Sequence, residues 1–118
     1  MRQLVTILGF LFCFSAQASN QDILVHNGFA TGQKYLEMNV AQKKAYAMGA
    51  MDGMLLAPLM GAPKKDMAWL ETCAENMTDV QVAAILTKYL ENNPGQWHES
   101  AHVSMFSAMM DACHYKAP

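Results

Sequence analysis

The 118-residue sequence predicts an all-α fold, a small compact bundle of about four to five helices with one disulfide. Three observations carry that expectation. Val82, Ala83, Leu86, Tyr89 and Leu90 recur at helical intervals just after Thr78 and Gln81, which together make a T-x-x-Q capping box. A second apolar face runs through Trp97, Ala101, Met105, Ala108, Met109 and Ala112. The strict apolar–polar alternation of a half-buried strand is sustained nowhere.

In chain order, residues 1–18 read as a signal peptide. Arg2 supplies a positive charge, an apolar run extends from Leu4 to Phe14, and Ala16-Gln17-Ala18 has the small-x-small form that signal peptidase cuts. The run is too short for a stable membrane span, so cleavage after Ala18 is expected. Cys13 does not read as a lipoprotein cysteine, because the bulky Phe12 precedes it. Residues 19–118 then form a single domain, exported to the periplasm or beyond, with nothing later long and apolar enough to insert in a membrane. Residues 19–30 read as an irregular lead-in, followed by a short helix from near Thr31 to Met38. Asn39 is the N-cap of a longer helix that ends or kinks near Pro58. GAPKKD reads as a turn and MAWLETC as a short helix carrying Cys73. The helix capped by Thr78 stops at ENNPG, and a last one runs from about Trp97 to Cys113.

Loss of residues 1–18 removes the single Arg and leaves seven Lys against ten carboxylates, a net charge of −3. That balance, with no basic patch, argues against nucleic acid and against anionic membrane surfaces as partners. It also leaves two cysteines, Cys73 and Cys113. An even pair in an exported domain reads as one disulfide. In the chain-entropy picture, closing that loop stabilises the fold by about 4 kcal/mol.

Two patterns suggest metal chemistry. His98-Glu99-x-x-His102 has the H-E-x-x-H form of zinc peptidases, in which two histidines one helical turn apart bind zinc and the glutamate activates water. Such a centre needs a third protein ligand. Past Glu99 only Asp111 and His114 are candidates, and a continuous helix would carry Asp111 about 13 Å along its axis from His102. Catalysis is therefore not expected, and a weak surface zinc site at His98 and His102 is the milder alternative. Met48, Met51 and Met54 supply soft thioethers of the kind that hold Cu(I). Residues at successive i+3 steps drift around a helix, so core packing is the preferred reading. No resident cofactor or metal is expected, and no Ser-His-Asp or Cys-His arrangement argues for an enzyme.

The long helix has a clearer feature. Ala41, Ala45, Gly49, Gly53 and Ala57 recur every four residues and predict a smooth stripe that another helix or a second subunit approaches closely. Asp52 is the lone charge in that stretch. It either faces solvent or meets a neighbouring helix end or lysine.

Two segments resemble the Rap/Tai immunity-protein family. Tyr46-x-x-Gly49-x-x-Asp52, followed by Gly53, is similar to the family's Y-x-x-G-x-x-D helix. The stretch from Cys73 to Cys113 resembles its succession of a Cys, a capped helix ending K-Y-L, an N-P turn at Pro94, a W-H-x-S-A segment at Trp97 and His98, and a closing Cys. The resemblance implies a small all-α periplasmic protein, often dimeric, that binds and blocks cell-wall-degrading effectors such as peptidoglycan amidases delivered by type VI secretion. Members often carry further cysteines before the Tyr-Gly-Asp helix. Here Met38 and Lys43 stand in that neighbourhood, so a single bridge is implied. The leading expectation is a non-enzymatic binding protein with a protein partner, a homodimer being compatible with it. The alternative is a periplasmic acid-stress chaperone of the HdeA kind, also small, helical and single-bridged.

Overall fold

The computed structural model describes residues 27–116, so the signal segment and the start of the lead-in lie outside the described residues. Five helices follow one another: α1 (Gly32–Leu36), α2 (Val40–Leu55), α3 (Lys64–Ala74), α4 (Asp79–Asn92) and α5 (Ala101–Ala112). No strand occurs among the described residues, and a single backbone bridge pairs Thr31 with Ser100.

Side chains that accept the first free N–H groups set most helix starts. Thr31 caps α1 by accepting from the Lys34 amide. Asn39 and Gln42 form a reciprocal capping box on α2, and Thr78 and Gln81 form the expected one on α4. The end of α5 is equally local. The Tyr115 amide donates to the Met110 carbonyl and the His114 amide to that of Asp111, with His114 in the left-handed region. This is a Schellman ending. It turns the chain so that Tyr115 lies over Trp69.

The core runs along α4, which packs between α2 and α5. Val82, Ala83, Leu86 and Leu90 meet Ala47 and Met51 from α2 and Ala101, Met105, Ala108 and Met109 from α5. α1 adds the fully buried Tyr35, whose hydroxyl donates to the Ala83 carbonyl at 2.9 Å. Its ring lies 5.6 Å from that of Tyr46. α3 contributes buried Leu70 and is stapled to the end of α5 by the Cys73–Cys113 disulfide. Beside the staple, the Trp69 ring stacks on Tyr115 at 4.5 Å and meets the edge of Phe106 at 6.0 Å.

The structure corrects the sequence at two helix starts. GAPKKD is a turn only through Pro63, since Lys64, Lys65 and Asp66 already belong to α3. The last helix begins at Ala101, four residues later than expected. Before it come a 3₁₀ turn at Pro94–Gln96 and a non-helical segment whose carbonyls are committed elsewhere. The Gln33 amide donates to the Trp97 carbonyl and the Gly32 amide to that of Glu99, each at 2.9 Å. Those oxygens dock α1 instead of continuing a helical ladder. Gly32 makes the approach feasible: a Cβ there would lie 2.6 Å from Leu90 Cδ2 and 3.2 Å from Trp97 Cα.

Candidate functional site

The H-E-x-x-H pattern loses its helix once the geometry is known. His98 lies in the turn before α5 with its side chain 76% exposed, and its Nε2 sits 3.1 Å from Glu99 Oε1. His102 is on the first turn of α5, where its ring packs against Gly28. Trp97 anchors this segment by donating from Nε1 to the Leu90 carbonyl at 2.7 Å. The Ser100 hydroxyl donates to the Asn27 carbonyl, and the Ala101 amide to that of Ala30 at 2.8 Å. The stretch is thus a strap that ties the lead-in and α1 to α4 and α5. No group of three or more His, Cys, Asp or Glu that could hold a metal occurs among the described residues.

The methionines are divided between two places. Met51 is buried in the core, and with the exposed Met48 it lines a groove shared with Asp52 and Met77. Met54 belongs to a different groove, with Phe29, Tyr46, Gly49, Gly53 and His102. The three thioethers therefore do not converge on one point.

The residues of the Tyr-Gly-Asp helix are divided as well. Tyr46 is half-buried against Tyr35. Burial pushes its phenol above the ordinary range, the neighbouring Tyr35 adds to this, and the His102 backbone opposes it. Asp52 is exposed on another side of α2, which agrees with the simpler of its two expected settings. Pro94 opens the 3₁₀ turn before Trp97 and His98, so this cluster belongs to the strap. Beyond the adjoining residues and backbone of α2 itself, no heavy atom of the described residues lies within 4 Å of where a Cβ would stand on Gly49 or Gly53. Ala41 and Ala45 are exposed too. The small-residue stripe expected to receive a close neighbour thus has none among the described residues.

One apolar surface was not singled out from the sequence. α2 ends at Leu55, and a 3₁₀ turn over Ala57–Met60 carries the chain toward α3. Leu59 and Met60 on that turn are each 84% exposed, and Leu55 and Leu56 beside them are also exposed. The signal was present in L-L-A-P-L-M: four large apolar residues crowd around a proline at a helix end, where no core-facing periodicity uses them all. Single exposed apolar side chains need no explanation, whereas four together at one helix end form a local apolar patch on the surface.

A family model described as Rap1a immunity proteins matches residues 19–113. This chain belongs to the Rap1a immunity protein family. The matched span takes in all five helices and both bridged cysteines. Membership in this family implies a protein that binds a secreted effector. No helix of the described residues is long and apolar enough to cross a membrane. No curated protein and no solved structure matches the chain.

Proposed function

We propose that this Rap1a-family protein is an exported, non-enzymatic inhibitor that binds and blocks a cell-wall-degrading effector delivered by type VI secretion. The observation that carries the reading is the family match over residues 19–113, which covers the bridged helical domain from the residue after the expected cleavage site. Residues 1–18 direct export in this reading, and residues 19–118 act as one domain in the periplasm, where a cell-wall hydrolase does its damage. The disulfide suits that oxidising compartment. Inhibition requires a shape that occludes a catalytic cleft, and it asks for no catalytic group on the inhibitor.

The experiment is co-expression of the full-length protein with each cell-wall hydrolase encoded beside its gene, the hydrolase being directed to the periplasm. The expected result is rescue of cells from lysis and a complex of the two proteins that co-elutes on size exclusion. Lysis undiminished for every such hydrolase, with no complex formed, overturns the reading.

A further inference from the structure

Asn27 and Gly28, just ahead of α1, are consecutive residues in the left-handed backbone region, with φ of 50° and 116°. Asparagine tolerates that region better than most side chains, and glycine enters it freely. The pair is also the one Asn-Gly step in the chain. The other asparagines, Asn20, Asn39, Asn76, Asn92 and Asn93, precede Gln, Val, Met, Asn and Pro. The difference is chemical, because an asparagine carboxamide is open to attack by the backbone nitrogen of the residue after it. A Cβ on that residue hinders the approach, and glycine has none.

The fold separates Asn27 further from the others. Asn39 accepts from the Gln42 amide as the cap of α2, and Val40 after it begins that helix. Asn76 precedes Met77, whose amide donates to the Ala74 carbonyl. Asn92 lies in α4, and the Asn93 amide after it donates to the Leu90 carbonyl. Asn93 donates through Nδ2 to the Tyr89 carbonyl, and Pro94 has no N–H to give up. Asn27 is exposed, and among the described residues its one hydrogen bond is through its backbone carbonyl, which accepts from the Ser100 hydroxyl. The Gly28 amide donates to no backbone carbonyl among the described residues.

We infer that Asn27-Gly28 is a self-modifying site, a deamidation that needs water and no enzyme and that ages the strap. The Gly28 nitrogen forms a bond to Asn27 Cγ, the Cγ–Nδ2 bond breaks, and ammonia leaves with the proton that Gly28 gives up. Water then opens the cyclic imide. Addition at Cγ gives aspartate, and addition at the former backbone carbonyl gives isoaspartate, whose chain runs through Cγ. Either product adds a negative charge, but they differ in their effect on the fold. Aspartate keeps the backbone length and the carbonyl that accepts from Ser100. Isoaspartate converts that carbonyl to a carboxylate and lengthens the chain by a methylene. The surroundings leave little room for this, since a Cβ on Gly28 would already stand 2.7 Å from His102 Nδ1. The longer chain therefore disturbs the segment whose Ala30 carbonyl accepts from the Ala101 amide at the start of α5.

The test incubates the purified, disulfide-bonded protein in mildly alkaline buffer made with heavy-oxygen water. Peptide mapping follows, with fragmentation that distinguishes aspartate from isoaspartate. Asn27 is expected to convert at least about 10-fold faster than Asn39, Asn76, Asn92 or Asn93, a barrier lower by about 1.4 kcal/mol. Both products should carry heavy oxygen, and isoaspartate must be among them, since direct hydrolysis of the side chain yields aspartate alone. Asn27→Gln, which would need a larger ring, should abolish the new acidic species with an unchanged circular dichroism spectrum. The acidic fraction, isolated by ion exchange, should exchange the Ala101 amide about 10-fold faster than Asn27→Asp, the all-aspartate reference. Conversion of Asn27 no faster than at the other asparagines, or aspartate without isoaspartate, overturns the site. Equal exchange at Ala101 in the acidic fraction and in Asn27→Asp overturns the loosening of the strap.

Discussion

Tyr35 shows how one side chain can join three helices. It sits on α1, its ring lies against Tyr46 of α2, and its hydroxyl donates to the Ala83 carbonyl of α4. Thr87 Oγ1 also donates to that carbonyl at 2.8 Å, so Tyr35→Phe leaves the acceptor satisfied. Its expected cost is about 1 kcal/mol, read as a lower urea midpoint at unchanged slope. Burial raises the Tyr35 phenol above its ordinary 10.0, with the Thr87 hydrogen bond a smaller opposing effect. The folded state therefore holds this proton more tightly than the unfolded chain does. Its stabilising contribution is complete below pH 10 and is lost as pH rises through the folded value. Tyr35→Phe should make the alkaline fall in stability shallower, as urea midpoints measured from pH 8 to 11 will show. Ser104 is the opposite case. Its hydroxyl is buried on α5 with no hydrogen-bond partner among the described residues. Ser104→Ala should raise stability by up to about 1 kcal/mol, and a lower urea midpoint would contradict that.

At the scale of elements, the helices differ in what secures them. α4 is held on both sides by the core, whereas α3 relies on Leu70, the Trp69–Tyr115 stack and the disulfide. Replacing Cys73 and Cys113 together by Ala should destabilise the protein by up to about 4 kcal/mol, in line with the loop they close. Because Trp69 stands beside the bridge, its near-UV signal should weaken in the double variant at lower urea than the far-UV helical signal does. Coincident transitions would show that α3 is held well enough without the staple. The same element accounts for an expectation that was only half right. Gly61 and Pro63 signalled a turn correctly, but after Pro63 the chain is free to turn helical at once, and Lys64-Lys65 do so despite their unfavourable charge. Nothing local in K-K-D distinguishes a turn from a first helical turn. The burial of Leu70, six residues beyond Lys64, supplies the difference.

Over the whole molecule, one ion pair connects α2 to the start of α4. Lys44 Nζ lies 3.0 Å from Asp79 Oδ2. The Lys44 hydrogen bond, followed by the Val80 amide, lowers the Asp79 carboxyl below its ordinary 3.8. A depressed carboxylate contributes stability above its unfolded value, and that contribution is lost as pH falls through the folded value. Asp79→Asn should lower the urea midpoint modestly near neutral pH and flatten the part of the acid limb lying below pH 3.8, so that the two proteins converge at the acid end, as urea midpoints from pH 2 to 6 will report. The small-residue stripe belongs to this scale too. Gly49 and Gly53 were expected to admit a close neighbour, and among the described residues they admit none. Spacing identified the smooth face of α2, but which helix packs against which face depends on the whole assembly of elements. α4 took the opposite side, where Ala47 and Met51 are buried.

The sequence by itself determined the helical class, the caps at Asn39 and Thr78, the break at ENNPG and the pairing of Cys73 with Cys113. It also carried the match over residues 19–113 that places the chain in the Rap1a immunity family. These are local matters: a side chain caps an amide three residues away, and a proline or glycine acts where it stands. Tertiary structure decided the use of W-H-E-S-A-H, because the carbonyls of Trp97 and Glu99 accept from α1, nearly seventy residues earlier in the chain. It likewise decided that Met48 and Met54 lie in separate grooves and that Leu59 and Met60 stand outside the core. Whether an apolar side chain is buried depends on what the rest of the chain brings to meet it, and no spacing within one segment contains that information.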